Sequence, residues 1–218
     1  NKFNFKIVGS GPTGLLLSIV LSKFDCNIFL TDLLTKDRLI DKDKTYAITH
    51  STRKILIKFK LWDKLEPYLF GFNTLSILDS VTSAFTNLSI SDLHEDISSA
   101  LNIGWVVKHS DLMNVFFKEI DNYENIFFMT PQKLLRKKIF FDYQFFSTGA
   151  NSLDKKLLDF VDLKKSYNQS CLTFKVFLRG NLERRAYEIF RKEGPLALLP
   201  LEKNLYQVIW TSSTLKAI

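Results

Sequence analysis

Between residues 5 and 32 the chain reads FKIVGSGPTGLLLSIVLSKFDCNIFLTD. An apolar run over residues 5–8 meets Gly9, Gly11 and Gly14 at once, in the spacing G-x-G-x-x-G. Leu15, Leu16, Ile19, Val20 and Phe24 then recur at helical spacing, and a second apolar run over residues 27–31 ends at Asp32. This order predicts a buried strand, a glycine turn, a helix and a second strand, which is a βαβ unit of about 30 residues. Gly9 permits the tight turn, Gly11 lets backbone approach a pyrophosphate, and Gly14 lets the helix pack close to the strands. Ser10, Pro12 and Thr13 complete the loop, and the helix N-terminus offers free N–H groups and the positive end of its dipole to phosphates. Asp32, placed to accept hydrogen bonds from a ribose hydroxyl pair, favours the unphosphorylated adenosine ribose of FAD or NAD over NADP. The glycines alone do not separate FAD from NAD.

The rest of the chain is read more coarsely. Residues 33–44 are polar and predict a loop. Residues 51–59 predict a helix with Ser51 as N-cap. Strands are expected at 75–79, 85–91, 126–129, 139–141, 144–147, 171–178 and 205–211. A helix is expected from Ser110 or Asp111, with Leu112, Val115, Phe116 and Ile120 on one face. ERRAYEIFRKEG reads as a short helix. A βαβ unit, a strand-rich insertion, a return to the first sheet near residues 144–149 and a second strand-rich region imply two interleaved layers.

Composition excludes more than it assigns. With 46% hydrophobic residues among 218, the chain has enough for one sizeable core, or one domain and part of a second. No apolar run reaches the roughly 18 residues of a membrane span, and the start reads as a strand, not a basic leader. The net charge of +7 is spread along the chain, and runs such as LRKKIFF read as solvated turns and strand edges, so nucleic acid is not an expected partner. Cys26 and Cys171 lie far apart and are expected as two buried thiols in a reducing cytosol. His50, His94 and His109 have no metal-ligand spacing. The chain begins with Asn and ends just after a strand-like run, which reads as a piece of a longer protein.

Four further stretches stand in order: DKTYAITHSTRKILIKFKLWDKL (43–65), IGWVVKHSDLMNVFFKEI (103–120), FFSTGANSLDKKLL (145–158) and RAYEIFRKEGPLALLPLEKNLYQVIWTSS (185–213). Together they resemble the class A FAD-dependent aromatic hydroxylases of ubiquinone biosynthesis, over nearly the whole chain. The resemblance implies an α/β fold: a Rossmann-like FAD-binding domain (1–70 and 102–165) interleaved with a β-sheet substrate domain (71–101 and 166–218), truncated at the C-terminus. It implies FAD as cofactor, NAD(P)H as reductant and O₂ as the source of an oxygen atom transferred to a prenylated phenol ring.

Carried over by position, Gly9, Ser10, Gly11, Pro12, Thr13 and Gly14 hold the FAD pyrophosphate and Asp32 the adenosine ribose. Lys44 stands where the family has an Arg, and keeps the charge without the planar fork. Arg53 matches a helix Arg, Val107 lies where backbone passes the adenine, and His109 replaces an Asn as a candidate donor to the cofactor. Thr148, beside Gly149, replaces the Asp of an A-D-G-A-N-S motif, and the Arg that follows that motif gives way to Asp154 and Lys155. The family's Gly-Asp segment, which serves the flavin-ring half of the site, has no counterpart within residues 1–218, so the chain alone is expected to be poorly active. The sheet surface that the missing C-terminal helix covers in the family is then expected to lie bare. A membrane-partitioned substrate implies a cytoplasmic protein with peripheral contact to the inner membrane or to a ubiquinone-biosynthesis complex. Two other readings remain open: a prenyl reductase type flavoprotein of the same fold, and a degenerate nucleotide-binding remnant without catalysis.

Overall fold

The computed structural model describes residues 2–93, 101–149, 167–180 and 184–213. From the N-terminus its elements are β1 (Phe3–Val8), α1 (Pro12–Leu21), β2 (Cys26–Thr31), α2 (Lys36–Ile40), β3 (Thr45–Ile48) and α3 (His50–Lys58). There follow α4 (Trp62–Leu65), β4 (Phe70–Phe72), β5 (Thr74–Asp79), β6 (Phe85–Ser89), β7 (Gly104–Lys108) and α5 (His109–Ile120). The remainder is β8 (Ile126–Met129), α6 (Pro131–Arg136), β9 (Tyr143–Phe146), β10 (Gln169–Phe177), β11 (Arg185–Phe190), β12 (Leu196–Glu202) and β13 (Leu205–Ser213). Contacts divide the chain into two compact units.

The first unit takes in Asn1–Lys44, Ile57–Leu65 and His109–Asp162. Its sheet has strand order β8-β2-β1-β9, and every pairing in it is parallel. β2 is interior and almost wholly buried, which explains why Cys26–Thr31 reads as a continuous apolar run. α1 packs on β1, β2 and α5, with Leu15 and Ile19 fully buried. α5 buries Leu112, Met113, Val115, Phe116, Phe117 and Ile120. A helix of 12 residues is marginal alone. At about 1.5–3 kcal/mol for each fully buried large apolar side chain, packing decides that it forms. Glu119, buried on the same helix, accepts hydrogen bonds from Lys64 Nζ and, at 3.1 Å, from Tyr123 Oη, which ties α4 to α5.

The second unit takes in Thr45–Leu56, Glu66–Lys108 and Leu163–Ile218. It contains a sheet of order β10-β13-β12-β11-β5-β6 and a smaller one of order β3-β7-β4. Phe72, Val106, Ala186 and Leu201 form its core cluster. β5 and β11 pair in parallel from Thr74↔Arg185 to Asp79↔Phe190, which joins segments far apart in sequence.

Several local expectations change. The stretch ERRAYEIFRKEG contains strand β11 and no helix, because pairing with β5 and β12 outweighs the helix preference of its Glu, Arg and Ala residues. α3 starts at His50, so Ser51 lies inside it, and the Thr49 hydroxyl accepts the Thr52 N–H at 3.4 Å. Residues 33–44 contain α2, and residues 139–141 are not a strand. α1 ends at Leu21, which leaves Phe24 in the following turn with 63% of its surface exposed. Cys26 is buried as expected, but Cys171 is exposed, because β10 is the edge strand of its sheet.

Candidate functional site

All four strands of the first unit's sheet run the same way, so Val8, Thr31, Met129 and Phe146 end at one edge. β1 has β2 on one side and β9 on the other, so the chain leaves it in two directions. In open parallel sheets such a reversal opens a crevice at the carboxyl edge, where ligands bind. The glycine loop follows Val8 directly into that position.

The three glycines differ in what requires them. Gly9 has φ +100°, and a Cβ on it would sit 2.5 Å from the Ser147 carbonyl oxygen. A Cβ on Gly14 would collide with the Gly9 carbonyl oxygen. Ser147 closes the turn from β9: its N–H donates to Val8 O at 2.8 Å and its hydroxyl to Gly9 O at 2.7 Å. The fold itself therefore demands Gly9 and Gly14. Gly11 is different. It is the N-cap of α1 with φ −70°, and a Cβ on it would meet no atom within 4 Å. Neither crowding nor backbone conformation calls for a glycine there. Its missing side chain keeps open the approach to the start of α1. Among the described residues no side chain caps that helix end, no acidic residue stands in its first turn, and Pro12 lacks the N–H that would go unpaired at that position.

Ser10 is fully buried, and its Oγ has no hydrogen-bond partner among the described residues. An unpaired buried hydroxyl costs stability unless a ligand or water satisfies it. The Ser10 N–H donates to Asp32 Oδ2 at 2.7 Å, and the Leu34 N–H donates to Asp32 Oδ1 at 3.0 Å. The carboxylate is thus locked in orientation at the end of β2. Each of its oxygens keeps a lone pair beyond these two bonds, so a sugar hydroxyl can still donate to it. An open Gly11, an orphan Ser10 hydroxyl, an uncapped helix start and a fixed carboxylate together suit the ADP portion of a dinucleotide.

The structure places the other expected site residues as follows. Thr148 is half-buried beside Gly9, and Gly149 is exposed with φ +74°. Asn151, Ser152, Asp154, Lys155 and His94 lie outside the described residues. Lys44 is exposed, and its carbonyl accepts the His109 N–H at 2.8 Å. His109 is 2% exposed, and its Nε2 donates to Leu39 O at 2.7 Å, since a carbonyl only accepts. Burial holds its imidazole below the usual histidine range against that bond, and Lys42 and Lys44 add to the lowering. In this structure His109 ties α2 to α5.

Arg53 and Val107 belong to the second unit. The Arg53 guanidinium lies 5.6 Å from the Trp105 ring, and Val107 is buried in β7 opposite Tyr46. His50 also meets Trp105, at 4.9 Å between ring centres, and bonds Asn102 O through Nε2 at 2.9 Å. Among the described residues no group of three His, Cys, Asp or Glu is placed to hold a metal. Sequence reasoning did not single out Ser147 as the residue that closes the glycine turn. Its only signal was its place just ahead of Thr148-Gly149.

No protein-family profile matches the chain. An uncharacterized protein, slr1300, of Synechocystis sp. is 24% identical over 244 aligned positions, covering the whole chain and 56% of that protein. Among solved structures, p-nitrophenol 4-monooxygenase PnpA from Pseudomonas putida aligns with a TM-score of 0.77 at 14% identity, over 97% of this chain and 58% of that one. PqsL of P. aeruginosa, solved in complex with 2-aminobenzoylacetate, gives 0.76 at 11% identity, over 100% of this chain and 62% of that one. CtdE, solved in complex with FAD, gives 0.63 at 13% identity, over 99% and 60%. The chain therefore has a mixed α/β fold of the kind found in flavoprotein monooxygenases, and it spans little more than half the length of the relatives it matches.

Proposed function

We propose that the protein to which this chain belongs is an FAD-dependent monooxygenase that hydroxylates a prenylated phenol ring, of the ubiquinone-biosynthesis type, using NAD(P)H and O₂. The observation that carries this reading is the cradle at the carboxyl edge of β1, where Gly11 is open and the buried Ser10 hydroxyl has no partner among the described residues. Support for flavin chemistry comes from neighbours of the same fold: CtdE holds FAD, and PnpA is a monooxygenase of p-nitrophenol, itself a phenol.

FAD, when bound, supplies the redox chemistry and the activation of oxygen. The chain's own residues bind and orient. The N–H groups at the start of α1, with the positive end of its dipole, would hold the pyrophosphate, and the Ser10 hydroxyl would donate a hydrogen bond to that anion. The Asp32 carboxylate accepts from the adenosine ribose while its bond to the Ser10 N–H keeps the loop in register. Thr148 and Gly149 sit next to the same turn, and Thr148 contributes a hydroxyl where the family resemblance has a carboxylate.

The test is FAD titration of the chain and of Asp32→Ala, followed by flavin fluorescence. The expected result is saturable binding that weakens at least about tenfold in the variant, since a charge-assisted hydrogen bond contributes about 1.5–3 kcal/mol. Equal affinity in both would sink the assignment of Asp32, and no FAD binding by the full-length protein would sink the cofactor. A second reading, a nucleotide-binding remnant without catalysis, is favoured by the uncharged Thr148. It predicts ADP binding with no NAD(P)H oxidation by the full-length protein.

A further inference from the structure

The parallel sheet of the first unit has a second edge, where its strands begin. β1 starts at Phe3, β2 follows the turn that holds Phe24, and β9 starts at Tyr143 just after Phe140. All four aromatic side chains are exposed, Phe140 with 80% of its surface and Phe24 with 63%. α6 leads from the carboxyl end of β8 toward the start of β9, and its last turn adds Leu135, 77% exposed.

The exposure of Phe140 is built in. Its carbonyl accepts from Asn4 Nδ2 at 3.1 Å, the Asp142 N–H donates to Asn4 O at 3.0 Å, and the Asn4 N–H donates to Asp142 Oδ2 at 2.8 Å. Phe141 next to it turns inward against Phe29, at 5.6 Å between ring centres. The loop is pinned to β1, and Phe140 is the side chain left outside.

Cations cluster on the segment that leads from β8 into β9. Residues 125–141 include Lys133, Arg136, Lys137 and Lys138 and no acid. Of the acids at this edge, Asp25 is paired with Lys2 at 3.1 Å, Asp121 with Lys36 at 3.4 Å, Asp142 is held by Asn4, and Glu124 precedes β8. Exposed aromatic and leucine side chains set among lysine and arginine, on loops that end a rigid sheet, match a surface of anionic headgroups over hydrocarbon. A soluble polyanion would use the cations but gain nothing from Phe24, Leu135 or Phe140.

We infer that the edge formed by the strand starts docks on an anionic lipid bilayer, with Phe24, Leu135 and Phe140 entering the headgroup boundary and Arg136, Lys137 and Lys138 meeting the lipid phosphates. Docking by this edge leaves the opposite, carboxyl edge with its glycine loop facing away from the bilayer. The inference does not depend on which cofactor that loop takes.

The experiment is co-sedimentation of the full chain with phosphatidylcholine vesicles that contain or lack phosphatidylserine. Two variants are run beside it, F24S/L135S/F140S and R136E/K137E/K138E, both altered only at exposed positions and checked for folding by circular dichroism. Binding should need phosphatidylserine. It should fall by about tenfold per apolar side chain removed. It should fall by about 100-fold or more when the three cations are reversed. Failure to sediment with anionic vesicles overturns the inference, as does wild-type binding by either variant. Binding that follows charge and salt alone, and extends equally to nucleic acid, would identify a general polyanion surface and overturn it too.

Discussion

Gly9 and Gly11 stand two residues apart in one motif, yet the structure assigns them different work, and alanine at each position separates the two. At Gly9, alanine must adopt φ +100° with its methyl 2.5 Å from the Ser147 carbonyl oxygen. The backbone alone costs about 1–3 kcal/mol there, and relieving the contact pulls Ser147 away from Val8 and Gly9. In a chain of this size each kcal/mol lowers Tm by about 2–4 °C. Gly9→Ala should therefore melt roughly 5–10 °C below wild type, or fail to fold. At Gly11, alanine meets no atom within 4 Å and keeps an ordinary φ of −70°. It loses only the preference of glycine over alanine at an N-cap, about 0.5–1 kcal/mol, and Tm should fall by no more than about 2–4 °C. Its methyl nevertheless stands where an anion must come close to the start of α1. Displacing a phosphate from one N–H donor there, at about 1.5–3 kcal/mol, weakens FAD by about 10–100-fold. Thermal melts and flavin fluorescence titration on the same preparations give both numbers. The reasoning fails if Gly11→Ala melts as low as Gly9→Ala, or binds FAD as tightly as wild type.

Two further predictions concern the packing that carries the cradle. Burial pushes the Glu119 carboxyl up, but hydrogen bonds from Lys64, Tyr123 and Asn122 outweigh it and leave it below the usual carboxylate range. The stability this gives is present above about pH 4.3, the unfolded value, and is lost as pH falls through the lower folded value. Lys64→Met should move acid unfolding, followed by circular dichroism, to higher pH, and an unchanged midpoint would remove Lys64 from the account. His109 has the opposite charge type and the same direction of loss. Its folded form resists protonation while the unfolded chain takes up a proton near pH 6.5, so its contribution fades as pH drops below about 6.5. The gap in Tm between wild type and His109→Gln should narrow on acidification, and a gap that widens would refute the buried neutral imidazole.

What the sequence made legible follows from the distance over which each contact acts. Strand, glycine turn, helix and Asp32 all fall within one βαβ unit, where apolar periodicity and turn chemistry are local signals, and that unit forms as read. Ser147 holds the same turn but reaches Gly9 across 138 positions, and nothing local in either segment encodes that bond. β11 was missed for a related reason. Arg185–Phe190 is written in residues that suit a helix, and it becomes a strand only because β5 and β12 arrive on both sides of it. α6 was also missed: it starts at Pro131 with Thr130 as its cap, and a helix of six residues has too short an apolar period to register. Cys171 was assigned inward by its residue type, and Phe24 was placed on the helix by its spacing. One lies on an edge strand and the other one turn past a helix end, and only topology decides either. The same limit explains the site. A motif can say that three glycines are present, but the fold distinguishes the two it needs for its own closure from the one it leaves open. Gly11 is the one whose absence of side chain no internal contact accounts for, and it is therefore the residue from which a ligand at this edge is best argued.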